Sequence, residues 1–451
     1  MTVDMFKKEV FNKNISVIGM GISNRPLIKY LVSLGAKVTA YDMRTPEKLG
    51  DIYDEFLSLG VKIVTGENYL DNLEGEIIFK TPGLRFDHPA LLSAKEKGSI
   101  ITSEMEVFFD ICPANIISVT GSDGKTTTTT LIHKMMTEQG YNTYLGGNIG
   151  NPLLTEAENM KENDWVILEL SSFQLHTIKK SPKIAVITNL SPNHLDVHKD
   201  YQEYIDAKKN IMLYQNAGDK LVVNHSNAET NKIGREAKGN LTEFSSKEDA
   251  YISLKDGKIM RDGKAVLDIA DIKIPGMHNV ENYMAAIGAV EGLVADSVIL
   301  KIAKTFGGVS HRIELVRVLD GVSYYNSSID SSPNRSINTL NVFKDKVIMI
   351  AGGKDKGIPY DEIGPALKEK VKTLILIGKT ADKIEEALIK AGGENVPVMR
   401  CESYEQVVET ARSIAKDGDT VLLSPASTSF DMFANFEERG NLFKKLVNEL
   451  K

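Results

Sequence analysis

The chain has 451 residues, 42% of them hydrophobic and 25% charged, and its net charge of −7 comes without a lysine- or arginine-rich run, which argues against a nucleic acid partner. Its two cysteines, Cys112 and Cys401, are too few and too far apart for a disulfide framework or a zinc site. Because we find neither a signal peptide nor an apolar run of about 18–20 residues, we expect a cytoplasmic protein with no membrane insertion.

The first predicted elements form a Rossmann-like opening. A strand over residues 15–18 runs into Gly19-Met20-Gly21, a helix follows to about Leu34, and a strand over residues 37–41 ends at Asp42. Strands that alternate with amphipathic helices require a parallel sheet with crossover connections. A lone GxG turn is a weak motif, and an NAD-binding interpretation of it leaves the next glycine-rich turn unexplained.

The second glycine-rich turn follows a strand predicted over residues 115–119. It reads Thr120-Gly121-Ser122-Asp123-Gly124-Lys125-Thr126-Thr127 and opens a helix. Small residues let backbone N–H groups approach phosphate oxygens, Lys125 can reach the β- and γ-phosphates, and the Thr126 hydroxyl can bind Mg²⁺. Val119 stands where a strict P-loop has glycine, so an incidental lysine in a glycine-rich turn is the alternative.

Two further predicted strands end in polar residues. Residues 165–168 lead to Glu169, and residues 185–188 lead to a loop that contains His194. The carboxyl ends of strands are where an α/β sheet presents its ligands, so Glu169 is well placed to bind a metal. His194 is either a metal ligand or a hydrogen-bonded loop histidine, and spacing alone leaves both open.

The remaining chain continues the α/β pattern. Short strands and turns over residues 248–271 predict an antiparallel appendage. After Gly307-Gly308-Val309, strands are predicted at residues 322–325, 347–351, 373–377, 396–400 and 420–423. The predicted fold class is α/β with three domains: Rossmann-like over residues 1–103, a P-loop ATPase-like parallel sheet with the appendage over 104–309, and Rossmann-like over 310–451.

Motifs along nearly the whole chain resemble those of the Mur ligase family and occur in the same order. They are residues 120–127, 169–175, 189–196 and 204–208, His278-Asn279 with Asn282, and His311-Arg312. Residues 424–431 and 435–440 are similar to the C-terminal motifs of the members that add D-glutamate.

The resemblance implies an ATP-dependent acid–D-amino-acid ligase of peptidoglycan synthesis, and hence of cell-wall biogenesis and cell division. Its small-molecule substrates would be UDP-N-acetylmuramoyl-L-alanine, ATP and D-glutamate, bound by the first, second and third domains respectively. ATP would phosphorylate the alanyl carboxylate, and the amine of D-glutamate would attack the resulting acyl phosphate.

The resemblance also implies two Mg²⁺ ions and a set of catalytic residues, Lys125, Glu169, His194 and Lys208. Thr126 and Glu169 would bind the first ion, and His194 and Lys208 the second. Lys208 would act as a carbamate formed with CO₂, because an ammonium repels Mg²⁺ whereas a carbamate offers the oxygen donors that the ion prefers. Without the resemblance, a solvated lysine is the simpler interpretation.

The binding residues that the resemblance implies fall into three sets. For ATP they are Gly121, Ser122, Asp123, Gly124, Lys125, Thr126, Thr127, Asn279, Asn282 and Arg312. For the UDP-substrate they are Gly19, Gly21, Ile22, Ser23, Asp42, Thr81, Pro82, Gly83, Asn148 and His194. For D-glutamate they are Lys356, Ser429 and Phe436. Two of these have local alternatives, since Asn148 could be a left-handed turn residue and Asn279 a helix cap.

One segment departs from the family pattern. Residues 326–332 read Asn-Ser-Ser-Ile-Asp-Ser-Ser, so that the usual aspartate and lysine are replaced by Ser327 and Ile329. We hypothesise that Asp330 contacts the ATP ribose or phosphates instead.

Two other functions are compatible with parts of the sequence. One is a ligase of the same fold that adds a different amino acid or extends a folate tail, which the C-terminal motifs oppose. The other is a P-loop nucleotide-binding regulator without ligase activity. We expect a monomer, because no coiled coil or exposed apolar stripe is apparent.

Overall fold

The computed structural model describes residues 1–21, 23–195, 197–355, 357–430 and 432–451. The predicted site residues Ile22 and Lys356 lie outside the described residues, as do Asp196 and Asp431 of the motifs. The chain forms two compact units, Met1–Ile269 with Glu281–Ile302, and Ala270–Val280 with Ala303–Lys451.

The first sheet is parallel throughout, in the order β3-β2-β1-β4-β5. Its strands are β1 (Asn14–Ile18), β2 (Lys37–Asp42), β3 (Lys62–Thr65), β4 (Ile77–Phe79) and β5 (Ile100–Thr102). The helices around it are α1 (Val3–Val10), α2 (Asn24–Ser33), α3 (Pro46–Leu49), α4 (Asp51–Ser58), α5 (Pro89–Glu96) and α6 (Glu104–Ile111). Ile18 pairs with Tyr41, so Gly19 and Asp42 follow at the same edge of the sheet.

The second sheet has the order β14-β13-β12-β11-β10-β9-β6-β8-β7. Its strands are β6 (Asn115–Thr120), β7 (Thr143–Gly147), β8 (Trp165–Glu169), β9 (Ile184–Ile187), β10 (Lys220–Asn224), β11 (Asn240–Ser245), β12 (Ile252–Lys255), β13 (Lys258–Arg261) and β14 (Lys264–Asp268). The helices are α7 (Lys125–Gln139), α8 (Ser172–Leu175), α9 (Tyr201–Leu213), α10 (Ala228–Gly234), α11 (Met277–Val290) and α12 (Asp296–Thr305), with short 3-10 turns at Leu154–Asn159 and Ile269–Asp271.

Burial on both faces explains the apolar central strands of this sheet. Every residue of β8 is buried, as expected for a parallel strand covered by helices on both sides. Val119 pairs with Glu169 on one side and Val186 on the other, so the glycine-rich turn, Glu169 and the loop after β9 share one edge. The predicted antiparallel appendage is present as β12, β13 and β14, and it extends the main sheet because β11 pairs with β12 in parallel.

The third sheet has the order β15-β16-β20-β17-β18-β19. Its strands are β15 (Glu314–Leu319), β16 (Val322–Asn326), β17 (Val347–Ala351), β18 (Val371–Ile377), β19 (Val398–Cys401) and β20 (Thr420–Leu423). The helices are α13 (Pro333–Leu340), α14 (Gly364–Lys370), α15 (Ala381–Lys390), α16 (Tyr404–Ile414) and α17 (Phe436–Glu449), with a 3-10 turn at Asp361–Ile363. Separate hydrophobic clusters pack on its two faces.

The predicted α/β class is confirmed, with parallel pairing through most of each sheet. The edge strand β15 was not predicted, and it pairs antiparallel with β16. The domain boundaries at residues 103/104 and 309/310 stay a prediction. Within the part of the chain that the structure describes, no helix is both long and apolar enough to cross a bilayer.

Candidate active site

The glycine-rich turn after β6 can take its shape only with glycine at two positions. Gly121 has φ of 149° and Gly124 has φ of 77°. A Cβ on Gly121 would lie 1.9 Å from Thr188 Oγ1. Gly124 is the N-cap residue of α7 and has no side chain to occupy the first N–H groups of that helix. The turn therefore presents backbone donors and the positive end of a helix, the usual elements of a phosphate site.

The loop after β9 holds this turn through direct hydrogen bonds. Ser122 N donates to Asn189 O at 2.8 Å, and Asp123 N donates to Asn189 Oδ1 at 3.0 Å. Thr188 Oγ1 donates to Asp123 O at 2.6 Å. Lys125 Nζ bends back to Gly121 O and Ser122 O, at 3.0 and 2.8 Å. The ammonium thus lies at the mouth of the turn, where a bound phosphate would meet it.

Asn282 reaches the same turn from α11. A Cβ on Gly124 would lie 2.2 Å from Asn282 Oδ1, and Thr128 Oγ1 donates to that oxygen at 3.3 Å. Asn282, a predicted ATP-binding residue of the first unit, therefore lies against the glycine-rich turn. Thr126 and Thr127 lie in the first turn of α7.

Glu169, at the end of β8, is the most unusual acidic group of this edge. It is 2% exposed, its Oε1 accepts a hydrogen bond from Asn148 Nδ2 at 2.9 Å, and no described residue donates to its buried Oε2. A buried carboxylate oxygen without a donor is costly unless a cation or ligand satisfies it. The positive φ values in the preceding turn belong to Gly147 and Gly150, so the left-handed alternative for Asn148 is wrong.

Lys208, on α9, is buried beneath the glycine-rich turn. It is 2% exposed, and its Nζ donates to Thr120 Oγ1 at 3.1 Å and to Gly121 O at 2.8 Å. Burial and the charge of Lys125 hold the pKa of Lys208 well below its usual range, against the opposing influence of Glu169 and Asp123. The solvated-lysine alternative is therefore wrong.

His194 stands in the loop after β9 with a strained backbone. Its φ is 54°, a left-handed conformation that is uncommon for a residue other than glycine and often marks functional sites. The ring of Phe173 meets His194 edge to face, with centroids 5.3 Å apart. The described residues contain no cluster of three His, Cys, Asp or Glu side chains that could hold a metal alone. A Mg²⁺ ion at this edge would need water and phosphate oxygens as additional ligands, which is its common mode of binding.

The predicted UDP-substrate residues gather at the carboxyl edge of the first sheet. Asp42 is 5% exposed and accepts hydrogen bonds from Met20 N at 2.7 Å and from Arg44 Nη2 at 2.7 Å. Gly19 has φ of 87°, and a Cβ there would lie 3.4 Å from Thr81 Cβ. Gly21, Ser23, Pro82 and Gly83 lie in the adjoining turns. Sequence reasoning missed Arg44, although its place two residues after Asp42 was a usable signal.

The second unit contains the remaining predicted residues. Asn279 lies inside α11, where its Nδ2 donates to Pro275 O at 2.6 Å, and Arg312 is exposed. Ser429 is 2% exposed. Phe436 begins α17, and its ring lies edge to face with His311, with centroids 6.0 Å apart.

The departing segment of the second unit is tied down by buried polar contacts. Asp330 is 4% exposed and accepts a hydrogen bond from Ser424 Oγ at 2.8 Å, and burial raises its pKa. Arg439, 1% exposed, donates to Ser328 Oγ at 3.0 Å and to Ser427 O at 3.0 Å. The structure thus joins residues 326–332 to the 424–429 turn, a link that sequence reasoning missed. Contact of Asp330 with ATP stays a prediction.

Comparison with known proteins decides the family. The Mur ligase MurD-like N-terminal domain matches residues 13–103, the Mur ligase middle domain residues 119–290, and the Mur ligase glutamate ligase domain residues 311–427. A protein of Acetivibrio thermocellus named UDP-N-acetylmuramoylalanine–D-glutamate ligase is 56% identical over 99% of this chain and 98% of its own length. The chain belongs to the Mur ligase family. A Clostridium novyi protein of the same name is 51% identical over 100% of this Mur ligase and 99% of its own length.

A solved structure of low identity supports the fold. The UDP-N-acetylmuramate–alanine ligase MurC of Thermotoga maritima superposes with a TM-score of 0.59 and 19% identity, covering 97% of this Mur ligase and 100% of that chain. The predicted organisation in three α/β domains is therefore confirmed, and this Mur ligase shares with its family the use of ATP and Mg²⁺.

Proposed function

We propose that this Mur ligase joins D-glutamate to UDP-N-acetylmuramoyl-L-alanine at the expense of ATP, in peptidoglycan synthesis. The observation that carries the proposal is full-length identity of 51–56% to relatives that bear the name of this ligase. The C-terminal match to a glutamate ligase domain agrees with it. The glycine-rich turn, with Lys125 at its mouth and Glu169 beside it, supplies the chemistry that such a reaction needs.

The reaction transfers the γ-phosphoryl group of ATP to the alanyl carboxylate, and the amine of D-glutamate then displaces phosphate from the acyl phosphate. The residues of this chain chiefly bind and orient the charged groups, since phosphoryl transfer depends on positioning and charge stabilisation. Backbone N–H groups at the start of α7 bind the phosphates, and Lys125 turns from its carbonyl partners towards the β- and γ-phosphates.

Magnesium would neutralise charge on the transferring phosphoryl group and on the attacked carboxylate. We propose two ions, the first held by Thr126 and Glu169 and the second by His194 and Lys208. The unpartnered Oε2 of Glu169 fits the first site. A lysine in such a buried place is more readily neutral, and a neutral amine is the form that combines with CO₂, so Lys208 fits the carbamate that the second site requires.

The UDP-substrate would bind residues of the first unit, and D-glutamate would bind residues of the second. Gly19, Asp42 and the 81–83 turn would bind the uridine end, and Asn148 and His194 the muramoyl-alanine end. Ser429 and Phe436 would bind D-glutamate together with Lys356, which lies outside the described residues. A lysine and a hydroxyl suit an acceptor with two carboxylates. We further propose that the enzyme is cytoplasmic and acts as a monomer. Light scattering after size exclusion would measure its molar mass and so test the monomeric state.

The test is phosphate release from ATP with UDP-N-acetylmuramoyl-L-alanine while amino acids are offered one at a time. The proposal predicts release that depends on D-glutamate. Release that depends on another amino acid would show a ligase of different specificity, and release that no amino acid stimulates would favour the nucleotide-binding regulator. Lys125→Ala should abolish the activity, whereas Lys134→Ala, which removes an exposed lysine of the same helix, should retain it.

A further inference from the structure

His198 is a buried histidine outside the proposed catalytic and binding residues. It is 3% exposed and follows His194 by four residues in the loop between β9 and α9. Its Nε2 lies 2.9 Å from Ser172 Oγ, at the start of α8. The imidazole is therefore fixed to the helix that follows Glu169 in the chain.

The ring of His198 packs against two aromatic side chains. Phe173 stacks on it with an interplanar angle of 8° and centroids 5.3 Å apart. Tyr204 meets it edge to face at 79°, with centroids 5.4 Å apart. Contacts of this geometry fix ring orientation as well as burying area.

The same two aromatic rings contact the proposed ligands of the second magnesium ion. Phe173 lies against His194, with centroids 5.3 Å apart, and Lys208 Nζ lies 4.9 Å from the centroid of Tyr204. The Tyr204 hydroxyl is also 3.0 Å from Ser122 Oγ in the glycine-rich turn. Phe173 thus links His198 to His194, and Tyr204 links His198 to Lys208.

An ion-pair network fixes the other side of the imidazole. His198 Nδ1 lies 3.4 Å from Glu203 Oε2 without a well-aligned hydrogen bond. Arg85 binds both oxygens of Glu203, at 2.9 and 3.0 Å, and donates to Val197 O at 2.8 Å. Hydrogen bonds from Arg85 hold the pKa of Glu203 at about 2, so this carboxylate is charged at neutral pH. The segment after the 81–83 turn is thereby joined to the loop that carries His198.

We infer that His198 is a positioning residue that holds His194 and Lys208 in place for the second magnesium ion, through Phe173 and Tyr204. The inference rests on the proposed function, because it takes these two residues as metal ligands. Removal of a residue that orients a metal ligand without touching the metal typically weakens metal affinity by about 10–100-fold. A histidine that only filled the core would affect stability and leave metal binding unchanged.

The test compares His198→Ala and His198→Phe with the wild type and with His225→Ala. Phenylalanine keeps a flat ring against Phe173 and Tyr204 but loses the hydrogen bond with Ser172. His225 belongs to the same unit and contacts Glu243 and Asn231 instead, so it serves as a matched control. Three quantities are measured: Mn²⁺ affinity of the ATP-bound protein by electron paramagnetic resonance, the Lys208 carbamate signal by ¹³C NMR in labelled bicarbonate, and the melting temperature.

We expect His198→Ala to weaken Mn²⁺ binding by about 10–100-fold and to reduce the carbamate signal. His198→Phe should show a smaller loss of both, and His225→Ala should match the wild type. Wild-type Mn²⁺ affinity in His198→Ala, even with a lower melting temperature, would overturn the inference. If His198→Ala does not fold, two other single variants decide the question. Wild-type Mn²⁺ affinity in both His198→Phe and Ser172→Ala would then overturn the inference. None of these three measurements needs an amino acid substrate. The absence of D-glutamate-dependent phosphate release would therefore contradict the proposed function and leave the inference about His198 standing.

Discussion

Asn148 donates a hydrogen bond from Nδ2 to Oε1 of Glu169 at 2.9 Å, which fixes the carboxylate so that its other oxygen is buried without a described donor. The backbone makes the same connection, because Asn148 N donates to Glu169 O at 2.8 Å. The two contacts hold the turn after β7 against the end of β8. They prepare one carboxylate oxygen for a cation.

Asn148→Ala should therefore raise the Mg²⁺ concentration needed for half-maximal activity by about 10-fold or more, since Glu169 loses the group that orients it. A magnesium titration of the initial rate measures this. Asn142→Ala, an exposed asparagine just before β7, is the control and should leave the titration unchanged. An unchanged magnesium requirement in Asn148→Ala would show that Glu169 needs no such orientation.

Gly121→Ala should destabilise the glycine-rich turn. The substitution places a Cβ at a φ of 149° and 1.9 Å from Thr188 Oγ1, and a backbone in that region costs of the order of 1–3 kcal/mol for a residue other than glycine. We expect a lower free energy of unfolding in urea and at least about 10-fold weaker ATP binding by calorimetry. Gly218→Ala, which has open space and no positive φ, should change neither. Wild-type ATP affinity in Gly121→Ala would show that the turn does not hold the nucleotide.

Lys208→Arg should lose activity by about 100-fold or more. Arginine keeps the positive charge but cannot form the carbamate, and it places an unsuited cation beside Glu169. The phosphate-release rate measures the loss, and wild-type activity should itself fall when CO₂ is removed from the buffer. Lys209→Arg, a neighbour paired with Glu236, should remain active. Full activity of Lys208→Arg would rule out the carbamate.

Glu104 gives a pH dependence of stability. It begins α6, accepts a hydrogen bond from Leu154 N at 3.1 Å, and burial raises its pKa from 4.5 to about 7. Between those pH values the folded protein holds more protons than the unfolded chain. The free energy of unfolding therefore falls as pH rises from 4.5 to 7, and it stays at the lower value above pH 7.

Glu104→Gln should remove this dependence. At pH 8 the variant should be more stable than the wild type by roughly 2–4 kcal/mol, and at pH 4.5 the two should nearly coincide. Urea unfolding at both pH values measures the difference, and Glu96→Gln, an exposed site, should show none. Equal stability of Glu104→Gln and wild type at pH 8 would mean that the carboxylate is not buried in a costly state.

The sequence predicted the alternation of strands and helices well because that signal is local. The strands at residues 347–351 and 420–423 coincide with β17 and β20. The edge strand β15 was missed, although the turn Asp320-Gly321, with φ of 49° and 72°, is a typical hairpin signal.

The site was predictable only where a motif carries it. Lys125 and Glu169 could be placed because Lys125 begins the helix after β6 and Glu169 ends β8. Buried Lys208 donates a hydrogen bond to Gly121, 87 residues away, and the ion pair of Arg85 with Glu203 joins residues 118 apart. His198 acquires its contacts through the packing of α8 and α9, which no local pattern reveals.

The central claim is that the phosphoryl group of ATP passes to the carboxylate of the UDP-substrate, and isotope transfer tests it directly. UDP-N-acetylmuramoyl-L-alanine labelled with ¹⁸O in the alanyl carboxylate is incubated with ATP, Mg²⁺, D-glutamate and the enzyme. The released phosphate is analysed by mass spectrometry. The account predicts one ¹⁸O atom in each phosphate released. Unlabelled phosphate would show that water attacks ATP instead, and would contradict it.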